Sequence, residues 1–268
     1  VPSHDTIGRV FGMIAPDEFE AAFRRWVGMV VPVLAEDTVV AIDGKSSRRS
    51  GNKGKTQASP LHMVSAFAAG MGVVLGQTAT AEKSNETTAI PELLATLALE
   101  GCVVTIDAMG TQTKIARTIR ERGAHYVLCV KDNHPKLKPA STHETPTPGH
   151  GRIEVRRSWA FDAVDRLYQG GEWKDLASFA VVERVRTVGD RTSTERAYYI
   201  SSLPADAERI ARAVRSHWEV ENRLHWCLDV QFNDDQSRVR SGHAANNLAI
   251  VRHIVMNLLR LDTTRKAS

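Results

Sequence analysis

The sequence predicts an α/β protein: a mixed sheet flanked by helices, with a β-rich stretch inserted before the last long helices. Two apolar, β-branched runs, residues 38–43 and 102–107, each close on an aspartate, as strands that open into a ligand crevice do. Segments of helical periodicity separate the later strands, which requires crossovers and hence parallel pairing. Pro135, Pro139, Pro146 and Pro148 then interrupt the pattern and precede strand-like runs at 153–159, 177–188 and 194–202.

In chain order, residues 3–31 read as two helices. Ser3 or Asp5 caps the first, and Pro16 takes a first-turn place in the second, where its missing N–H costs nothing. Phe19, Phe23, Trp26 and Val27 recur at helical spacing on that second helix. Residues 61–68 and 73–80 are strands joined by the hairpin signal Ala69-Gly70-Met71-Gly72. With the strand at 38–43 they can form an antiparallel meander. A helix is expected over 90–99 with Pro91 in its first turn, a second over 113–122 closed by Gly123, and a strand over 125–131. After the insertion, 205–230 reads as one long helix. The last helix, 243–261, carries Ile250, Ile254 and Leu258 along one face. The expected division is an N-terminal helical segment 1–36, a core 37–134, the insertion 135–204, and the C-terminal helices of the core, 205–268.

A chain of 268 residues is enough for one large domain, or one with a sizeable insertion. No apolar run approaches the ~18 residues of a membrane span, and the opening Val1-Pro2-Ser3-His4 lacks a signal-peptide pattern. A start without Met is expected of a fragment or a processed form. The net charge of +4 and pI of about 9.1 suit a polyanionic partner without demanding one. Cys102, Cys129 and Cys227 lie far apart in apolar stretches with no CxxC pair, so they are expected as free buried thiols of a reducing compartment.

Asp43 and Asp107 are the residues that point to chemistry. Two aspartates at neighbouring strand ends can share divalent cations, which favour hard oxygen ligands and serve phosphoryl transfer. A third carboxylate is sought in Arg215-Ser-His-Trp-Glu-Val-Glu-Asn-Arg-Leu-His-Trp226, where His217, Glu221 and His225 lie four apart on one helix face. The plainer alternatives are that each aspartate begins a turn and that this helix is a salt-bridged surface. Trp218 and Trp226 argue against full exposure of the helix. Three other motifs fail: Gly54-Lys55-Thr56 lacks the glycine of a phosphate loop, Gly70-x-Gly72 joins two strands, and the histidines near Glu221 do not form HExxH.

Ordered motifs then make the chain resemble a known family, the ISAs-type insertion-sequence transposases with the H-repeat-associated proteins. Ala41-Ile-Asp-Gly-Lys45 is similar to the family's first-aspartate motif, and Thr105-Ile-Asp-Ala-Met-Gly-Thr-Gln112 to its second. Leu61-His-Met-Val-Ser-Ala66, Glu82-Lys-Ser-Asn-Glu86, Tyr126-Val-Leu-Cys-Val-Lys-Asp-Asn133, His150-Gly-Arg-Ile-Glu154 and Tyr198-Tyr-Ile-Ser-Ser202 follow in family order. His217-Trp-Glu-Val-Glu-Asn-Arg-Leu-His-Trp226 resembles the glutamate helix, and Asn257-Leu-Leu-Arg260 closes the match. Leu228 stands where related transposases carry Lys, and Asp132 where Gly is common.

The resemblance implies a ribonuclease-H-like mixed sheet, with the β-rich insertion before the last catalytic helix and a further helical region ahead of residue 1. It implies a DDE-type DNA transposase that cleaves element ends and transfers strands into target DNA. Asp43, Asp107 and Glu221 would be the catalytic and metal-binding triad, holding two Mg²⁺ or Mn²⁺ ions. The implied partners are terminal-repeat and target DNA and a second copy in synapsis, with no membrane, in the bacterial cytoplasm at the nucleoid. The alternatives are an inactive DNA-binding remnant of a mobile element, and a ribonuclease-H-like nuclease without strand transfer. Candidate DNA contacts are the basic loop after Asp43 (Lys45, Arg48, Arg49, Lys53, Lys55), Lys131 and Asn133 at a strand end, Arg152 in the insertion, and His217 and Arg223 beside Glu221. A solvated loop or surface strand explains the basic residues nearly as well. Either His217 or His225 can instead orient Glu221, and Trp218 is expected to pack the helix.

Overall fold

The computed structural model describes residues 3–51, 59–80, 86–130, 139–149, 152–167, 169–262 and 264. Helices α1 (His4–Met13) and α2 (Pro16–Val30) form at the N-terminus. Ser3 Oγ accepts the Thr6 N–H at 3.3 Å and caps α1, while Pro16 opens α2.

Nine strands then build one sheet: β1 (Val39–Ser46), β2 (His62–Ala68), β3 (Val73–Thr80), β4 (Val103–Ile106), β5 (His125–Val130), β6 (Ser141–Gly149), β7 (Arg152–Phe161), β8 (Ser178–Val188) and β9 (Arg191–Ser201). Their order is β3-β2-β1-β4-β5-β9-β8-β7-β6. The first three strands pair antiparallel, and β4 and β5 add in parallel. The crossovers are helices α3 (Glu86–Ala95) and α4 (Thr113–Glu121). An antiparallel meander extended by parallel strands in the order 3-2-1-4-5 is the ribonuclease-H-like arrangement.

The β-rich insertion is not a separate sheet. Strand β9 pairs with β5, Val127 opposite Ser201, so the meander β6–β9 continues the core sheet. Strand β6 contains Pro146 and Pro148, which is why its sequence did not read as a strand. It lies at the sheet's outer edge, where a proline removes no ladder bond.

Alternation divides the sheet into two faces. On β4 and β5, Val103 and Val127 face one core with Ala207, Ile210, Ala213 and Val214 of helix α5 (Ala207–His217). Val104, Ile106, Tyr126 and Leu128 face the larger core with residues of α2, α3 and α4. The long helix expected over 205–230 is interrupted between these cores. Helix α5 ends at His217, Val220–His225 forms a wide π turn, and α6 (Trp226–Val230) resumes. Val220, Leu224 and Leu228 belong to the larger core, so the interruption is where the chain changes faces.

Other departures are local. Strand β1 runs past Asp43 because β2 stays paired with it as far as Ser46 and His62. Helix α3 begins at Glu86, leaving Pro91 inside it. In α7 (Ala244–Leu261) Ile250 is buried, but Leu258 is 51% exposed and the polar Asn247, His253 and Asn257 are buried instead. The three cysteines are free, Cys102 buried and Cys129 and Cys227 half-buried. Among the described residues no helix is long and apolar enough to cross a membrane.

Candidate active site

Asp43 lies within β1, opposite Ser65 of β2, and Asp107 follows the last residue of the neighbouring β4. Parallel pairing of β1 with β4 therefore brings the two aspartates to the same end of the sheet. Glu221 arrives on the π turn, whose Val220 and Leu224 are fully buried. These anchors leave Glu221 half-exposed at the mouth of the site. One additional residue per turn re-aims the side chains that follow, and such bulges recur at functional sites.

Polar atoms of Asp43, Glu221 and His225 all lie within 4.8 Å of one another. His225 Nδ1 is 3.3 Å from Glu221 Oε2 and 3.6 Å from Asp43 Oδ2. Burial pushes the Asp43 carboxyl up to about 6, helped by the nearby Glu221 and Asp107 carboxylates and opposed by His225 and the Gly44 N–H. Contact with the His225 ring holds Glu221 below the usual carboxylate range, with Lys45 and His217 acting in the same direction. Asp107 Oδ1 accepts the N–H groups of Met109 at 3.0 Å and Gly110 at 3.2 Å, an Asx turn that fixes its carboxyl at the end of β4. Carboxylates converging in a partly desolvated place repel one another unless a cation joins them. The donor set, oxygen-rich with one imidazole, fits a divalent ion.

Around this centre the neighbours are tied together. Thr105 Oγ1 and His217 Nδ1 are 2.9 Å apart, which pins the end of α5 to β4 two residues before Asp107. Burial lowers the His217 pKa. Lys45 Nζ lies 2.7 Å from Asp229 Oδ1 and 3.5 Å from Asp235 Oδ1, so it faces inward and joins β1 to α6. Arg48 Nε is 3.2 Å from Asp235 Oδ2, yet its side chain stays 82% exposed. Asp234 pairs with Arg252 and accepts Ser47 Oγ at 2.7 Å. Asp229, Asp234 and Asp235 cluster closely enough to hold a cation, but Lys45, Arg48 and Arg252 already neutralise them.

The remaining candidate contacts fall in different places. Arg49 is exposed, and its carbonyl accepts Arg240 Nη2 at 2.7 Å. Arg223 reaches Glu219 Oε2 at 2.7 Å and the Gly70 carbonyl at 3.1 Å, bracing the β2–β3 turn. Lys53, Lys55, Lys131 and Asn133 lie outside the described residues, as does the side chain of Arg152. Trp218 does not pack the helix as expected; it and Trp226 are each 55% exposed, because the π turn directs Val220 and Leu224 inward in their stead. Sequence reading missed a cavity of about 280 Å³ between the meander and α5, lined by arginines and by Glu195, Glu208 and Trp218. Arg156, Arg184 and Arg196 pair with Glu154, Glu195 and Glu183, while Arg212 and Arg215 of α5 complete the basic lining. Its arginines come from four elements, β7, β8, β9 and α5; the charged run around Arg156 and the spacing of Arg212 and Arg215 on one helix are the only local signals of it.

The sheet order puts the chain in the ribonuclease-H-like class of folds, and residues 34–258 match the Transposase DDE domain family. The chain belongs to that family: it is a DDE-type DNA transposase, a DNA-binding enzyme whose chemistry depends on divalent metal. The protein YbfL and the H repeat-associated protein YhhI, both of Escherichia coli (strain K12), are each 38% identical to it over 100% of this chain and 75% of their own lengths. YncI of Escherichia coli O157:H7 is 40% identical over 97% of this chain and 71% of its own. Among solved structures, a piggyBac transposase synaptic complex with hairpin DNA covers 87% of this chain and 56% of that one, at 10% identity and a TM-score of 0.44. That likeness is loose.

Proposed function

We propose that Asp43, Asp107 and Glu221 are the metal-binding triad of a transposase that cuts the ends of its element and joins the freed 3′-hydroxyl to target DNA. The observation that carries this reading is the convergence of Asp43 and Glu221, with Asp107 near enough to oppose ionisation of Asp43. Two Mg²⁺ ions, or Mn²⁺, are the expected complement; bound there, they supply activation of the attacking oxygen and charge neutralisation at the phosphate. The chain's own part is positioning. The Thr105–His217 bond holds α5 beside Asp107, and the Lys45–Asp229 tie sets the spacing between β1 and the Glu221 segment.

Arg48, Arg49, and Arg212 and Arg215 on the α5 side of the groove are the proposed DNA backbone contacts, with exposed Trp218 available to stack on a base. On sequence grounds alone Lys53, Lys55, Lys131, Asn133 and Arg152 join them. Lys45, His217 and Arg223 are assigned to bracing. The segments 37–134 and 205–268 act as the catalytic core and 135–204 as its DNA-facing insertion. Two copies would synapse two element ends.

The test is Mg²⁺-dependent nicking and joining of labelled DNA that carries the element's ends, with Asp107→Asn and Glu221→Gln beside wild type. Cutting and joining by wild type, with both variants folded and inactive, supports the assignment. Cutting without joining would make the chain a nuclease, and binding without cutting a remnant. Variants as active as wild type would show the carboxylates to be structural.

A further inference from the structure

His225 lies against both Asp43 and Glu221, and its side chain is 8% exposed. Its Nδ1 sits 3.3 and 3.6 Å from their oxygens. Charge-assisted hydrogen bonds are shorter, about 2.7–2.9 Å. Ligand atoms on adjacent vertices around an ion with bonds of about 2.1 Å lie about 3 Å apart, so the spacing suits three donors around a common ion better than a direct ion pair. The other ring nitrogen, Nε2, is buried and has no hydrogen-bond partner among the described residues. His225 also lines a cavity of about 10 Å³ together with Lys45, Ser47, Ser65, Asp234, Arg252 and His253. His253 Nδ1 is likewise buried without a partner. A space of about this volume is just large enough for one water that has two or more polar partners, and the two unpartnered ring nitrogens are such partners.

We propose that His225 is a nitrogen ligand to the metal held by Asp43 and Glu221, with its tautomer set by one buried water shared with His253. In that arrangement His225 Nε2–H donates to the water, the water donates to His253 Nδ1, and the lone pair of His225 Nδ1 faces the carboxylates. Imidazole ligands are commonly oriented this way, through the nitrogen that does not bind the metal. His253 is thus a positioning residue supplied by α7, outside the triad and without contact to DNA. The proposal rests on the triad reading for Asp43 and Glu221, and adds a ligand and its support.

The experiment is pulsed electron paramagnetic resonance of Mn²⁺ bound to the whole chain without DNA, which requires no turnover. Wild type is expected to show ¹⁴N modulation from a coordinated imidazole. His225→Gln is expected to lose that modulation while retaining bound Mn²⁺, and Asp43→Asn to lose the bound ion. In His253→Leu, checked for folding by circular dichroism, Mn²⁺ affinity should fall about tenfold, as for other supporting partners of a ligating histidine. Mn²⁺ bound in an Asp43-dependent way without nitrogen modulation, or modulation that survives His225→Gln, would overturn the role of His225 and leave the triad standing. Mn²⁺ binding indifferent to Asp43→Asn would overturn both.

Discussion

Gly44 follows Asp43 for a steric reason. A Cβ there would lie 2.3 Å from Glu86 Oε1 and 2.5 Å from His62 Nε2. Those two side chains form a buried pair at 2.6 Å, and Ser46 Oγ holds His62 Nδ1 at 2.7 Å. Gly44→Ala is therefore expected to cost about 1–3 kcal/mol by overpacking and to disturb Asp43. Urea unfolding checks this, and an unchanged midpoint would mean that the pair swings aside. Glu20 gives a pH prediction distant from the site. Burial pushes its carboxyl from 4.5 up to about 7, against the Gln77 N–H and Arg24. The folded value lies above the unfolded one, so the stability it contributes is complete below pH 4.5 and is lost as pH rises through 7. Glu20→Gln should thus stabilise the protein at pH 8, by on the order of 3 kcal/mol at most, and make little difference at pH 4.5. Unfolding curves of the two proteins that coincide at pH 8 as they do at pH 4.5 would refute it.

At the scale of elements, helices secure the sheet through a few polar contacts. Asn257 of α7 accepts the Val74 N–H at 2.8 Å and donates to the Val74 carbonyl at 2.8 Å. It thereby supplies the edge strand β3 with the pairing a neighbouring strand would give. Asn257→Leu leaves both backbone groups buried and unpaired, at an expected cost of about 2–6 kcal/mol; a thermal melt close to wild type would show that water replaces the amide. Asp206 caps α5 by accepting the Glu208 and Arg209 N–H groups, each at 3.0 Å. Asp206→Ala should lower stability by about 1 kcal/mol while leaving DNA cutting intact, because the cap lies at the opposite end of α5 from His217. The π turn has the reverse character: it adds no evident stability and serves to bring Glu221 to the carboxylates while its buried neighbours change cores.

Across the whole molecule, the pairing of β9 with β5 makes the insertion a rigid continuation of the catalytic sheet. The arginine-lined groove therefore keeps a set position relative to Glu221, through Trp218 three residues before it. If this surface holds the DNA backbone, replacing Arg212 or Arg215 by alanine should weaken binding across sequences. Each replacement should lower the slope of log affinity against log salt by about 1. Fluorescence anisotropy at several salt concentrations measures both effects, and an unchanged slope would remove the groove from the DNA path.

Local patterns along the chain were enough to outline the core. Apolar runs at residues 38–43 and 102–107, the Gly70–Gly72 turn and the crossover helices are local signals, and they led to the mixed sheet and to Asp43 and Asp107. Strand β6 was illegible because proline reads as a breaker unless it is known to lie at an edge, and edges are assigned by long-range pairing. The break at residues 218–225 was illegible for a similar reason. Val220, Leu224 and Leu228 keep a helix-like spacing, and only the presence of two cores on opposite faces calls for a wider turn. Charge was the least legible feature. Lys45 reads as a free cation in a basic loop, but folding brings Asp229 to 2.7 Å from it. Which charges are spent on partners inside the protein and which, such as Arg49, stay turned toward solvent follows from the folded arrangement, because ion pairing depends on distances in space that residue spacing along the chain does not encode.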